Sequence, residues 1–260
     1  MKLSDYEYYR TDLGVVYKGS CLDILPLIDI KFNAIIVDLP YGTTACSWDT
    51  VIDLQDLWKH YKRLRNDNTP IVLFGSQPFT TDLINSNRKE FKYEIIWYKT
   101  KPQRHVLAKK MPMTIFENIS VFYFKQSTYN PIMRKGKPYI KKHGNNSTCG
   151  VGLKRDKRNN TITINNGERY PLNLIKFSNN NNNNYHSCQK PVELIQYLVK
   201  TYTNENDIIL DNTAGSGTLG LACERLNRRY ILIEQEEKYC KIIKKRLKQE
   251  SDQFKMFRNN

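Results

Sequence analysis

The stretch that decides the fold lies at residues 207–218. It reads Asp207-Ile208-Ile209-Leu210-Asp211-Asn212-Thr213-Ala214-Gly215-Ser216-Gly217-Thr218. The apolar run predicts a buried strand, and the glycine-containing turn leads into an apolar pattern typical of a helix. Glycines at a strand-to-helix turn allow the backbone to approach a ligand closely, and doubly wound sheets bind ligands at such crevices. The stretch therefore predicts an α/β fold with a ligand site at this turn.

A second apolar run and its terminal acid extend this interpretation. Residues 230–233 read Tyr-Ile-Leu-Ile and are followed by Glu234. A carboxylate at the end of a strand can accept hydrogen bonds from both hydroxyls of a ribose. A Gly-x-Gly pattern alone has little specificity, whereas strand, glycine turn, helix, strand and acid in succession indicate a cofactor of the adenosine type.

Nearer the N-terminus, the tetrad Asp38-Leu39-Pro40-Tyr41 ends another apolar run at residues 34–37. A carboxylate oxygen of Asp38 and the carbonyl of Leu39 can both accept hydrogen bonds from an exocyclic amino group, while Tyr41 stacks on the ring that carries it. An isolated tetrad of this kind is more typical of a strand end with a proline turn. Combined with the adenosine-type motif, it predicts a pocket for a nucleobase.

With these motifs the chain resembles the DNA amino-methyltransferases that use S-adenosylmethionine, in their permuted beta order. In that family a catalytic Asp/Asn/Ser-Pro-Pro-Tyr precedes the target-recognition region, and the cofactor loop lies near the C-terminus. Residues 38–41 match the first motif, residues 211–218 the second, and residues 189–194 the segment before the cofactor strand. The match covers nearly the whole chain. Leu39 replaces the first proline, and Thr213 stands where phenylalanine is usual.

The resemblance implies a set of site residues. The catalytic residues would be Asp38, Leu39, Pro40 and Tyr41. The contacts with S-adenosylmethionine would come from Ser20, Cys21, Asp38, Lys190, Pro191, Asp211, Thr213, Gly215, Gly217, Thr218 and Glu234. Ser20 stands where the family commonly has an aspartate near the adenine of the cofactor.

Further apolar runs predict one large sheet. They lie at residues 13–17, 71–74, 93–98 and 119–124, and residues 54–64 place apolar side chains at helical spacing. At least six strands alternating with helices predict an α/β fold with a doubly wound, mostly parallel sheet. The resemblance implies the Rossmann-like methyltransferase form of this fold with a small target-recognition insertion. Residues 1–125 are expected to form the catalytic half, 126–185 the insertion with an asparagine-rich spacer, and 186–260 the cofactor-binding half.

Charge predicts a polyanionic partner. The chain has 41 Lys and Arg against 26 Asp and Glu, a formal net charge of +15, and a pI near 9.4. The stretch from Lys99 to Lys110 holds five basic residues and no acid, and nine basic residues accompany a single acid between Arg134 and Arg158. The predicted contacts with DNA phosphates are Lys99, Arg104, Lys109, Lys110, Arg134, Lys135, Lys137, Lys141, Lys142, Lys154, Arg155, Lys157 and Arg158. A solvated surface is the alternative interpretation of both stretches.

Other patterns exclude some classes of protein. The six cysteines form no Cys-x-x-Cys pair, which predicts reduced thiols with neither a disulfide framework nor a metal site. No apolar run approaches about 18 residues and no charged-then-apolar leader is present, so a cytoplasmic protein without a membrane span is expected. Residues 42–49 are small and polar until Trp48, which suits either a loop that closes on DNA or an ordinary surface loop.

The implied reaction is direct transfer of a methyl group from S-adenosylmethionine to N6 of a flipped-out adenine in double-stranded DNA. Within the family, aspartate at the first tetrad position is commoner in N6-adenine enzymes, whereas serine points to N4 of cytosine. The alternatives are an N4-cytosine DNA methyltransferase, an enzyme acting on RNA or a protein amide, and an inactive DNA-binding homologue. A homodimer and a cognate restriction endonuclease are further partners consistent with the resemblance.

Overall fold

The computed structural model describes residues 1–43, 49–142, 162–179, 185 and 189–258, with side chains up to residue 252. It divides into two compact units, Met1–Asn130 with Asn173–Asn260, and Pro131–Leu172. The strands are β1 (Glu7–Arg10), β2 (Gly14–Lys18), β3 (Ala34–Val37), β4 (Ile71–Gly75), β5 (Phe91–Gln103), β6 (Thr114–Phe122), β7 (Arg134–Lys135), β8 (Tyr139–Lys142), β9 (Ile162–Asn165), β10 (Glu168–Arg169), β11 (Leu174–Phe177), β12 (Ile208–Asp211) and β13 (Arg229–Glu234). The helices are α1 (Cys21–Ile24), α2 (Leu54–Leu64), α3 (Phe79–Ser86), α4 (Val192–Tyr202), α5 (Thr218–Leu226) and α6 (Glu237–Arg258).

The larger unit contains a nine-stranded sheet in the order β1-β2-β13-β12-β3-β4-β6-β5-β11. The five strands from β2 to β4 are mutually parallel, as are β5 and β11, whereas β1 and β6 run antiparallel to their neighbours. The predicted doubly wound, mostly parallel sheet is therefore confirmed. Strands from both predicted halves, 1–125 and 186–260, alternate within this one sheet. β11 also belongs to it, although residues 174–177 lie inside the stretch predicted as an insertion.

Helices cover both faces of this sheet. On one face, an apolar core contains Ile36 of β3, Leu198 of α4 and Ile243 of α6. On the other, the core contains Ile35 of β3, Leu57 of α2 and Leu83 of α3. Successive strand residues point to opposite faces, so a strand covered on both sides is apolar at every position rather than at alternate ones. This explains why residues 34–37 form an uninterrupted apolar run.

The two parallel halves of the sheet meet at β12 and β3. Their register pairs Ile209 with Ala34 and Leu210 with Ile35, so the two strands end at the same edge of the sheet. From there the chain leaves β12 through α5 toward β13, and leaves β3 through α2 toward β4 on the other side. Such a reversal of winding opens a crevice at the carboxyl ends of the strands. The two sequence motifs, which begin at Asp211 and Asp38, therefore converge there.

The smaller unit consists of two short antiparallel pairs among its described residues, β7 with β10 and β8 with β9. Within it the guanidinium of Arg169 lies 4.7 Å from the centre of the Tyr139 ring. In the part of the chain that the structure describes, no helix has the length and hydropathy needed to cross a membrane.

Candidate active site

A cavity of about 720 Å³ opens at the carboxyl ends of β3 and β12, within the larger unit. Its volume lies in the range of small-molecule and cofactor sites. The predicted residues that line it are Ser20, Cys21, Asp38, Leu39, Pro40, Tyr41, Lys99, Arg104, Lys190, Asp211, Thr213, Gly215, Thr218 and Glu234. Pro191 instead occupies the N-cap position of α4, and Gly217 packs away from the cavity.

The turn at residues 211–218, which we call the cofactor turn, contains two glycines with different structural roles. Both adopt left-handed conformations, with φ of +53° at Gly215 and +75° at Gly217. A Cβ atom built on Gly217 would lie 2.9 Å from Cγ1 of Ile243 on α6, which shows that this glycine permits close packing. A Cβ atom on Gly215 would meet nothing within 4 Å. Gly215 therefore leaves free space on the wall of the cavity, where a ligand can approach the backbone.

Glu234 holds the cofactor turn in place. Its Oε2 accepts a hydrogen bond from the backbone N–H of Gly215 at 2.7 Å, and its Oε1 accepts one from the N–H of Glu236 at 2.8 Å. Burial raises the pKa of Glu234, and the two backbone hydrogen bonds oppose that rise. An ionised carboxylate has about four acceptor positions, so both oxygens retain the capacity to bind a ligand's hydroxyls.

Asp211, at the end of β12, is a buried acid whose principal partner is a backbone amide. Its Oδ1 accepts a hydrogen bond from the N–H of Thr213 at 3.1 Å. Burial raises the pKa of Asp211 to about 8, and the negative charges of Asp38 and Glu234 contribute to the rise. Acids with such raised pKa values are enriched at functional sites, and a positively charged ligand would stabilise the ionised form of Asp211.

We expect Asp211→Asn to stabilise the free protein increasingly as pH rises. Between about pH 4 and 8 the unfolded wild type is ionised at this residue while the folded protein retains the proton, because the ordinary pKa is 3.8 and the folded pKa is about 8. Wild-type stability then falls by at most about 1.4 kcal/mol per pH unit. The neutral amide avoids this cost and keeps an acceptor for Thr213.

Urea unfolding at pH 5, 7 and 8.5 would measure this stability difference. The exposed variant Asp12→Asn is the matched control. A constant difference between Asp211→Asn and the wild type across the series would contradict the interpretation of Asp211 as a buried, protonated acid.

One hydrogen bond joins the two motifs directly. Oγ1 of Thr213 donates to the backbone carbonyl of Asp38 at 2.9 Å. The neighbouring Asn212 accepts a hydrogen bond from the buried hydroxyl of Tyr61 at 2.6 Å. The threonine that departs from the family's usual phenylalanine thus attaches the cofactor turn to the tetrad.

The side chain of Asp38 belongs to a cluster of charged groups. Its Oδ2 accepts a hydrogen bond from Nζ of Lys190 at 2.5 Å, and its Oδ1 accepts one from the hydroxyl of Tyr41 at 2.7 Å. The same hydroxyl lies 2.7 Å from Oε1 of Glu117, and Lys190 Nζ lies 3.1 Å from that oxygen. Lys99 completes the cluster with Nζ 2.7 Å from Oε2 of Glu117. Lys190, predicted as a cofactor contact, therefore orients the acid of the tetrad.

These groups shift one another's ionisation. Burial raises the pKa of Asp38, an effect that Lys190 opposes and Glu117 reinforces. Burial would also raise the pKa of Glu117, but the positive charges of Lys190 and Lys99 outweigh it and lower that pKa to about 2. The side chain of Asp38 is 28% exposed, against 7% for Glu117 and 9% for Lys190. Asp38 is therefore the more basic carboxylate of the pair and the one more accessible to a ligand.

Tyr41 has more contacts than the predicted stacking on a base requires. Its ring stacks on Phe79 with centroids 5.2 Å apart, and its hydroxyl contacts both carboxylates of the cluster. The backbone N–H groups of Tyr41, Gly42 and Thr43 all donate to the carboxylate of Asp49, at 2.8 to 2.9 Å. Asp49 therefore binds the backbone of residues 41–43, where the loop at residues 42–49 begins. Residues 44–48 of that loop lie outside the described residues.

The prediction for Lys99 requires correction. Residues 99–103 belong to strand β5 rather than to a solvated loop, and Lys99 is 5% exposed and paired with Glu117. It is therefore not an exposed contact for phosphates. Arg104, Lys109, Lys110 and, in the smaller unit, Arg134, Lys135, Lys137, Lys141 and Lys142 are exposed. Lys154, Arg155, Lys157 and Arg158 lie outside the described residues.

The remaining predicted residues of the site have structural partners. Ser20 caps α1, where its Oγ accepts a hydrogen bond from the N–H of Leu22 at 3.3 Å, and burial raises the pKa of the Cys21 thiol. Sequence reasoning missed Glu117 and Asp49. A charged residue inside the apolar strand at 114–122 was the available signal for Glu117. In the described part of the chain, no group of His, Cys, Asp or Glu is arranged to hold a metal ion.

Comparisons with known proteins relate the chain to methyltransferases. The sequence model of a family described as DNA methylase matches residues 32–245. The Type II methyltransferase M2.DpnII of Streptococcus pneumoniae is 45% identical over 67 residues, which are 26% of this chain and 25% of that protein. The Type II methyltransferase M.BamHI of Bacillus amyloliquefaciens is 25% identical over 259 residues, 93% of this chain and 58% of that protein. The chain thus spans about a quarter of the length of M2.DpnII and somewhat more than half of M.BamHI.

Solved structures share the fold. The M1.HpyAVI–SAM complex superposes with a TM-score of 0.62 at 24% identity, covering 90% of this chain and 100% of that one. The PvuII DNA methyltransferase, described as cytosine-N4-specific, superposes with a TM-score of 0.63 at 13% identity, covering 94% of this chain and 93% of that one. At these identities the likeness shows the fold alone.

Proposed function

We propose that this chain, which belongs to the N6/N4 DNA methylase family, methylates N6 of adenine in double-stranded DNA with S-adenosylmethionine as the donor. The observation that carries the proposal is the hydrogen bond between Thr213 and the carbonyl of Asp38, which joins the tetrad to the cofactor turn at one cavity. Aspartate at the first tetrad position favours adenine over cytosine.

The volume and charge of the cavity suit S-adenosylmethionine. Gly215 leaves space beside the backbone, Glu234 can accept from ribose hydroxyls, and Asp211 is an acid that a positively charged ligand would ionise. When bound, S-adenosylmethionine supplies a methyl group on a positively charged sulfur. Gly215, Glu234, Asp211 and Thr218 are the residues proposed to hold it.

Asp38 and Leu39 would activate the amine of the base. The lone pair of an exocyclic amine is delocalised into the ring, so the protein must localise it with acceptors for the two N–H groups. The proposed acceptors are the Asp38 carboxylate and the Leu39 carbonyl, which belong to residues that line the cavity. Lys190 and Tyr41 each hold one oxygen of Asp38, which fixes the direction of its remaining lone pairs. The raised pKa of Asp38, caused first by burial, suits this carboxylate to receive the proton that the methylated amine releases.

Neutralising Glu117 or Lys190 should move the pH profile in opposite directions. In Glu117→Gln the negative charge that raises the pKa of Asp38 is removed, so the acidic limb of kcat/KM should shift to lower pH. In Lys190→Gln the opposing positive charge is removed, so the limb should shift to higher pH. The profile is measured with varied DNA at saturating cofactor, so it reports ionisations of the enzyme–cofactor complex before DNA binds. If both variants are slower but the acidic limb of kcat/KM stays at the wild-type pH, Glu117 and Lys190 support the site structurally and do not set the pKa of Asp38.

The exposed basic residues are proposed to contact phosphates of the DNA. They include Arg104, Lys109 and Lys110 in the larger unit and Arg134 to Lys142 in the smaller one. M2.DpnII and M.BamHI are described as Type II methyltransferases, which is the reason for expecting a cognate restriction endonuclease.

Labelled transfer to DNA tests the proposed function. The purified protein is incubated with tritiated S-adenosylmethionine and genomic DNA, and the digested nucleosides are separated by chromatography. We expect label in N6-methyladenine. Label in N4-methylcytosine would contradict the base assignment, and label in RNA or protein in place of DNA would contradict the substrate. Single-molecule sequencing of DNA from expressing cells then identifies the methylated motif.

A further inference from the structure

The loop between β5 and β6, together with the start of β6, carries several exposed apolar side chains. Val106 is 95% exposed, and Leu107, Met111, Met113 and Phe116 are also exposed. A single exposed apolar residue needs no explanation, but a contiguous group of them marks a surface that binds a partner. We refer to residues 104–113 as the rim loop, because it lies next to the cavity.

The rim loop begins and ends at the cavity wall. Gln103 and Arg104 precede its tip, Thr114 and Phe116 follow it, and all four line the cavity. Val106 lies two residues after Arg104, between these two cavity-lining ends of the loop.

The rim loop is also held in a defined shape. Arg104 takes a left-handed conformation with φ of 65°, and a single turn of 3-10 helix follows at His105–Leu107. The N–H of Leu107 donates to the carbonyl of Arg104 at 2.9 Å, and the N–H of Lys110 donates to that of Leu107 at 2.8 Å. Because these hydrogen bonds already order the turn, Val106 can bind a partner without the entropy cost of ordering the loop.

Charge identifies the kind of partner. The rim loop contains three basic residues, Arg104, Lys109 and Lys110, and no acid, and all three are exposed. Duplex DNA has the matching arrangement, with an apolar stack of bases between two lines of phosphates. Proteins that unstack DNA insert apolar side chains between bases while basic residues contact the phosphates.

We propose that Val106, at the tip of the rim loop, enters the base stack as the target base leaves it, and that Lys109 and Lys110 bind the flanking phosphates. This inference rests on the proposed function, since it concerns how a base in a duplex reaches the cavity. A flipped base loses its stacking and pairing, and a side chain in the vacated place lowers that cost. The rim loop would therefore matter for paired targets and little for targets that are already unpaired.

The test compares Val106→Ala with the wild type on two duplexes that contain the methylated motif. In one duplex the target adenine is paired, and in the other it faces an abasic position. We expect kcat/KM of Val106→Ala to fall roughly tenfold or more on the paired duplex and to remain near the wild-type value on the second. Ile30→Ala, which removes another exposed apolar side chain, is the control and should match the wild type on both.

A second readout avoids turnover altogether. With 2-aminopurine in place of the target adenine, its fluorescence should rise when the wild type binds and rise much less with Val106→Ala. Lys109→Gln with Lys110→Gln should instead make the log–log salt slope of DNA affinity shallower by about 0.9 per lost phosphate contact, without rescue by the abasic duplex.

Three results would overturn the proposal. The first is that Val106→Ala has the wild-type kcat/KM on the paired duplex, and the second is that it loses kcat/KM equally on both duplexes. The third is that 2-aminopurine fluorescence rises as much with Val106→Ala as with the wild type. If the wild type methylates neither duplex, the proposed function itself fails. If Val106→Ala alters only self-association of the protein, the rim loop is an interface between copies of the chain.

Discussion

Asp38→Ala should abolish methyl transfer, with kcat reduced on the order of a thousandfold, while S-adenosylmethionine affinity stays within a few-fold. The carboxylate is held by Lys190 and Tyr41 and faces the cavity, where it would receive the amine of the base. The contact with the cofactor turn comes from the backbone carbonyl of residue 38, which accepts from Thr213 and is kept in alanine. The substitution therefore separates chemistry from cofactor binding.

Single-turnover rates at saturating DNA, together with calorimetric titration of the cofactor, measure these two effects. Asp38→Asn is the companion variant, because it keeps the shape of the side chain but loses its charge and should also be severely impaired. If Asp38→Ala retains more than about a tenth of wild-type turnover, the loss of transition-state stabilisation is less than about 1.4 kcal/mol. Asp38 would then not be the principal acceptor for the amine.

Gly215→Val should prevent detectable binding of S-adenosylmethionine. The new side chain would stand in the space that Gly215 leaves open, and a β-branched residue at a φ of +53° is strongly disfavoured. Glu234→Ala should also weaken binding, but less than Gly215→Val does. The alanine lacks the acceptors for the ribose hydroxyls and the partner of the Gly215 N–H.

Alanine at the two glycines of the turn provides the matched comparison. Gly215→Ala should lose affinity with a modest loss of stability, about 1 to 2 kcal/mol for the left-handed backbone. Gly217→Ala should lose more stability, because its Cβ would also lie 2.9 Å from Cγ1 of Ile243. Cofactor titration and thermal unfolding of both variants check this contrast. Unchanged cofactor affinity in Gly215→Val and Glu234→Ala would place the cofactor elsewhere.

Motifs at strand ends could be recognised from local pattern. The apolar runs at 34–37 and 208–210 are strands because a strand covered on both faces is apolar at every position. The residues after them, Asp38 and Asp211, therefore lie at the same edge of the sheet. The family assignment made from these motifs is confirmed, whereas the roles of the individual residues remain predictions.

Lys99 shows where local pattern misleads. The stretch from Lys99 to Lys110 contains basic residues and no acid, which predicted contact with DNA phosphates. In the folded chain β5 continues through Gln103 and places Lys99 against Glu117 on the adjacent β6. A lysine can be buried when it is paired with an acid, and that acid lies 18 residues away in the sequence, beyond the window in which charge patterns are read.

The sequence by itself determined the alternation of strands and helices, the glycine turn, the tetrad and the excess of positive charge. Only the tertiary structure decided that Tyr41 reaches Glu117 across 76 positions of sequence and that Lys190 reaches Asp38 across 152. These contacts depend on the strand order, which places β6 beside β4 and β12 beside β3. The physical reason is that hydrophobic periodicity specifies which face of an element is buried, whereas the partners of a buried charge are specified by which distant elements pack against it.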